Sequence, residues 1–88
     1  MFELTGHDAE KPDLQRIHPD ATYAAGSAKL ALESIRKMIT EDIVKSLAPD
    51  GKVPLTVKPD GRILDGNTRV KVLEERGYDI NSLPRVTL

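Results

Sequence analysis

The chain has 88 residues, enough for one domain with one modest core. Its net charge of −1 and its three aromatic residues, Phe2, Tyr23 and Tyr78, argue against a stand-alone DNA-binding domain and against base-stacking capture of single strands. With no cysteine, disulfides, thiolate catalysis and Cys-ligated zinc are excluded, and His7 and His18 are not at metal-ligand spacing.

Residues 1–6 read as a short strand or a frayed end. Residues 1–26 form an N-terminal extension, either part of the domain or outside it; within it residues 7–26 are rich in turn signals, Lys11-Pro12-Asp13 and His18-Pro19-Asp20, with Leu14 and Ile17 as anchors. The domain proper is expected over 27–88. A helix is predicted over 27–39, with Ser27 as N-cap and Leu30, Ala31, Ser34, Ile35 and Met38 on its apolar stripe, widened by Leu32 and Ile39. Thr40 reads as a second N-cap, with Glu41 and Asp42 in the first turn of a short helix to about Ser46. The apolar face of that helix is Ile43, Val44 and Leu47.

A hairpin follows. Val53, Leu55 and Val57 alternate with polar or proline positions, Lys58-Pro59-Asp60-Gly61 is a turn, and Arg62-Ile63-Leu64 is the return strand. Asn67 or Asp65 is expected to cap a helix over Thr68–Arg76 that turns Val70 and Leu73 to the core and ends at Gly77. Residues 78–84 are a loop, and Arg85–Leu88 adds a terminal strand. The fold class is therefore α+β: a small mixed β-sheet with a β-hairpin, packed against about three helices. There is no run of about 18 apolar residues, the length a membrane helix requires. The N-terminus lacks the regions of a signal peptide, so a cytoplasmic location is expected.

Chemistry stands out at one place, the passage from strand to helix at Asp65-Gly66-Asn67-Thr68-Arg69. Glycine lets a ligand approach the main chain. The first amides of a helix lack intrahelical partners and carry its positive dipole end. The Asn67 amide, the Thr68 hydroxyl and the Arg69 guanidinium add reach toward an anion, and a phosphate suits that set. The competing reading is a plain turn and N-cap, with Arg69 paired to Asp65 or Glu75.

Two blocks carry a family resemblance. Leu32-Glu33-Ser34-Ile35-Arg36 is similar to a helix with a Leu-x-x-Ser-Ile pattern, and Gly61-x-x-x-Asp65-Gly66-Asn67-Thr68-Arg69 is similar to a strand, a Gly-x-x-Arg turn and a helix. From about Leu30 to Arg85 the chain resembles the N-terminal domain of ParB and the ParB/sulfiredoxin superfamily. The resemblance implies a site for the phosphates of a nucleoside triphosphate, with Mg²⁺, formed by Asp65, Gly66, Asn67, Thr68, Arg69 and Ser34. Asp65 is the carboxylate beside the site that would hold Mg²⁺ with such a nucleotide, or else a turn former before glycine, and Asp60 and Asp50 are further candidates. Sulfiredoxins place their catalytic cysteine directly after the motif glycine. Here that position is Asn67, so sulfinic-acid reduction is excluded. ParB has Glu-Arg-Arg after the glycine where this chain has Asn-Thr-Arg, one basic residue fewer, and the 88 residues hold no helix-turn-helix or dimerisation domain. Three functions follow as alternatives: a nucleotide-phosphate-binding domain with or without hydrolysis or phosphoryl transfer; a non-catalytic protein-interaction or regulatory module; and a DNA-associated accessory protein, which the neutral charge disfavours for this chain alone. No catalytic residue and no protein-built metal site is assigned.

Overall fold

The computed structural model describes residues 12–88; the strand or frayed end expected at 1–6, and His7, lie outside the described residues. In chain order the elements are a 3-10 turn Asp20–Ala24, α1 Gly26–Arg36, α2 Thr40–Leu47, β1 Thr56–Val57, β2 Ile63–Asp65, α3 Asn67–Glu75, a 3-10 turn Ile80–Ser82 and β3 Val86–Thr87. The sheet is mixed and runs β2-β1-β3, antiparallel between β1 and β2 and parallel between β1 and β3. Three helices and this sheet enclose one core, which is the expected α+β class.

The hairpin forms where its turn chemistry dictates. The Gly61 amide donates to the Lys58 carbonyl at 2.9 Å, and Gly61 takes φ +95°. A Cβ at Gly61 would collide with the Asp13 carbonyl, so the residue is also needed for close approach of the preceding segment. The strands are shorter than the expected alternation, because Leu55 bonds back to the Leu47 carbonyl and Val53 is exposed. Thr56 pairs with Asp65 and Val57 with Ile63, so Leu64 has no partner of its own and β2 carries a bulge.

The described part of the extension is built into the sheet. The Gln15 amide donates to the Gly61 carbonyl and the Gln15 carbonyl accepts from the Ile63 amide, both at 2.9 Å. This isolated parallel bridge covers the outer edge of β2. Leu14 packs on the core as expected, whereas Ile17 is exposed. Arg16 reaches Glu74 at 2.7 Å and Asp20 at 3.3 Å, and Lys71 reaches Asp20 at 3.1 Å, which ties the segment to α3.

The core comprises Tyr23, Leu32, Ile43, Leu47, Leu55, Val57, Ile63, Val70, Val72, Leu73 and Leu83. Along α1 the inward face runs through Ala28, Leu32 and Ile35; of the expected stripe, Leu32, Ile35 and Met38 meet the core, whereas Leu30, Ala31, Ser34 and Ile39 are exposed. Leu30 is 68% exposed and Ile39 59% exposed. Leu30 and Leu32 stand about 200° apart on a helix, so burying one releases the other to solvent. The helix also stops at Arg36, which leaves Met38 and Ile39 in the link to α2.

All three expected side-chain caps are absent. α1 begins a residue earlier than expected, with Ala25 at its N-cap, and Ser27 is already helical. Thr40 is the first residue of α2, and its hydroxyl accepts from the Arg76 guanidinium at 2.9 Å. Gly66, at φ +114°, occupies the N-cap of α3 in place of Asn67 or Asp65. The end of α3 follows expectation: the Gly77 amide reaches the Glu74 carbonyl and the Tyr78 amide the Leu73 carbonyl, both at 3.0 Å, in the Schellman pattern. Arg76 then closes the end of α1, donating to the carbonyls of Arg36 at 3.0 Å and Met38 at 2.8 Å.

Asn67 is 6% exposed, the one buried polar side chain among the described residues. Its Oδ1 accepts from the Ile17 amide and its Nδ2 donates to the Ile63 carbonyl, both at 3.0 Å. Asn67→Ala should lower the unfolding free energy by about 2–3 kcal/mol, since it strands a main-chain donor and acceptor; urea denaturation measures this.

Asp20, Asp60 and Glu75 are held below the usual carboxylate range. The largest cause for Asp20 is the hydrogen bond from Lys71, for Asp60 the main-chain amide of Arg62, and for Glu75 the Arg36 guanidinium. Their contribution is complete above the ordinary carboxylate range and is lost as pH falls through their lowered values. The Tm should therefore drop on acidification below about pH 4, and less steeply in Asp20→Asn.

Candidate functional site

A cavity of about 400 Å³ opens where β2 passes into α3. Its floor is Leu64, Asp65, Gly66, Asn67, Thr68 and Arg69; its wall is Ala31, Ser34 and Ile35 of α1; and His18 stands on the extension side. This size falls within the usual range of small-molecule pockets. Every residue expected at the site borders this one cavity, including Ser34, which lies far from the turn in sequence. His18 joins them. Sequence spacing held no sign of that, because the bridge at Gln15 and the Ile17–Asn67 bond bring His18 across the fold.

The residues do not all serve as expected. No side chain caps α3, and its first intrahelical bond is from the Val70 amide to the Gly66 carbonyl at 2.9 Å. The amides of Asn67, Thr68 and Arg69 thus precede the helical ladder and carry its positive end. Gly66 is required by packing as well as by conformation: a Cβ would lie 3.0 Å from Leu47 Cδ2 and 3.1 Å from Leu55 Cδ1. Both polar atoms of the Asn67 side chain are engaged in the clamp between Ile17 and Ile63, so the amide is a structural tie before it is a ligand group. The Thr68 hydroxyl lies 3.3 Å from the Tyr23 phenol, and Ser34 is exposed on α1.

Arg69 is a structural tie first. One terminal nitrogen donates to the Val53 carbonyl at 2.8 Å, the Ser46 hydroxyl at 3.1 Å and the Ser46 carbonyl at 3.2 Å. Three acceptors surround a group that bears two protons, so the bonds are shared. The other terminal nitrogen lies 3.7 Å from Asp65 Oδ1. That ion pair is the partner choice left open between Asp65 and Glu75; Glu75 instead pairs with Arg36 at 2.6 Å and Lys71 at 3.6 Å. Burial pushes the Arg69 guanidinium below its ordinary value, and Asp65 opposes that shift. The guanidinium remains charged, as arginine does in proteins.

Ile35 and Arg69 also border a second, mostly apolar cleft of about 390 Å³, with Met38, Val53, Ser46 and Lys52. Among the described residues no group of three or more His, Cys, Asp or Glu side chains gathers as a metal site, and no helix is long and apolar enough to cross a membrane. The chain matches no family model, no curated protein and no solved structure.

Because Arg69 fastens the end of α2 to the approach to β1, Arg69→Ala should destabilise the fold by about 2–3 kcal/mol, the range of hydrogen bonds to a charged donor. Ser34→Ala should shift stability by less than about 0.5 kcal/mol, as expected for an exposed position. Thermal denaturation of the two variants checks both.

Proposed function

We propose that this chain is a small nucleotide-phosphate-binding domain of the ParB/sulfiredoxin type, holding its ligand's phosphates in the cavity at the β2–α3 turn. One observation carries the reading. The two sequence blocks that resemble the family border the same cavity, the first (Leu32–Arg36) through Ser34 and Ile35 and the second (Gly61–Arg69) through Leu64, Asp65, Gly66, Asn67, Thr68 and Arg69. In such a complex the main-chain amides of residues 67–69 meet the phosphate oxygens, the hydroxyls of Ser34 and Thr68 add donors, and Arg69 contributes through the nitrogen not held by Ser46 and Val53. The apolar wall of Ala31, Ile35 and Leu64 accommodates the rest of the ligand. The role is binding: Asp65 is engaged with Arg69, and no side chain is assigned a catalytic step.

A second reading, a non-catalytic interaction module, draws on the apolar residues left at the surface. Leu30, Ile39, Val53 and Leu64 are all exposed. Scattered surface apolar residues are ordinary, so this reading ranks below the first. Under it, no phosphate compound would act on the fold.

A thermal-shift screen of ATP, CTP, GTP, pyrophosphate and sulfate separates the two. Ligands that bind only the native state raise its Tm. At least one phosphate compound should do so in the unaltered chain, and Thr68→Val combined with Ser34→Ala should reduce the shift by more than half while the ligand-free Tm falls by no more than about 8 °C, the scale of one lost hydrogen bond to Tyr23. An unchanged Tm with every compound would overturn the phosphate reading.

A further inference from the structure

The charges around the cavity nearly cancel. Arg69 is positive, Asp65 is negative and only 3.7 Å from it, and the α1 wall of Ala31, Ser34 and Ile35 is uncharged. On the extension, the charged neighbours of His18 are already spoken for. Arg16 is paired with Glu74 and Asp20, and Asp20 is also held by Lys71. Among the described residues, a doubly charged oxyanion entering this space therefore meets a side-chain lining with no net charge, apart from whatever His18 carries.

The backbone that carries His18 is held beside the cavity. The Ile17 amide is bound by the buried Asn67 side chain, which belongs to the first residue of α3. The next residue in the chain is His18, and Pro19 restricts the backbone on its other side. Histidine changes charge between pH 5 and 8, and its protonated ring presents two donors and no acceptor.

We propose that His18 is a binding residue of this cavity, and that the site takes its oxyanion together with a proton, so that the bound ligand is a tetrahedral dianion facing an imidazolium. The inference rests on the phosphate-binding reading given above. The balance is simple: the anion enters, one proton from solvent adds to the His18 ring, and no covalent bond to the ligand is made or broken. The cavity is then selective for anion charge, favouring dianions over monoanions of the same shape.

Sulfate is the suitable probe, because it stays a dianion across the pH range in which histidine titrates. Calorimetry on the full chain from pH 5.5 to 8, in two buffers of different ionisation enthalpy, reads both affinity and protons taken up. Sulfate should bind roughly tenfold more weakly at pH 8 than at pH 6, the scale of one lost charge interaction near a protein surface. Proton uptake should reach about half a proton per sulfate near pH 7, the most that a tenfold change in affinity allows by linkage. His18→Gln, at an exposed position, should keep its Tm, bind weakly at every pH and take up no proton. A pH slope that survives in His18→Gln, or sulfate binding without proton uptake in the unaltered chain, would overturn the role of His18 while leaving the phosphate site standing. Sulfate, pyrophosphate and nucleotides all failing to bind at any pH would overturn both.

Discussion

The architecture depends on one buried amide. Asn67 sits where β2 gives way to α3, and its side chain bonds the extension through the Ile17 amide and the strand through the Ile63 carbonyl. A buried polar group survives only when its partners are in place. The amide therefore fixes three segments at once: the start of α3, the end of β2 and the path of residues 15–18. The cavity is the space left between those segments and α1. Its shape follows from a requirement to satisfy hydrogen bonds in the interior, and His18 borders it for the same reason.

Local rules made the scaffold legible where one residue type does one job. The hairpin turn follows from Pro59 and Gly61, the stop of α3 from Gly77, and the inward face of α2 from Ile43 and Leu47. Reading failed where a side chain had two possible partners. Ser27, Thr40 and Asn67 are all good caps by residue type, yet none caps a helix. Thr40 is taken by Arg76 and Asn67 by the clamp, contacts made by chain distant in sequence. The α1 stripe is only partly legible for a related reason: Leu32, Ile35 and Met38 meet the core as expected, but Leu30 and Ile39 do not. A helix with apolar residues on most sides has several candidate inner faces, and only the position of the sheet chooses among them. In the turn, the residues that meet at one cavity could be named from the sequence, but the engagement of Asn67 and Arg69 by the fold, and the presence of His18, required the tertiary arrangement.

Arg69 illustrates how a motif residue serves two masters. Its hold on Ser46 and Val53 positions the loop between α2 and β1, and its other nitrogen stays on the side of Asp65 and Gly66. A guanidinium anchored at one end reaches an anion with little further loss of side-chain freedom, which is preorganisation. The cost is that Asp65 screens it. Removing the arginine tests stability and binding together, whereas Ser34, Thr68 and His18 report on the cavity with far less disturbance of the core.

The parallel pairing of β3 with β1 has a consequence for the order of folding. Val86 and Leu88 donate their amides to the carbonyls of Leu55 and Val57 at 2.8 and 3.0 Å. Parallel partners cannot be joined by a tight turn, and here the crossover between them contains β2 and α3. Any partly folded species that holds only the hairpin therefore carries one bare sheet margin, open to pairing with another chain until β3 docks.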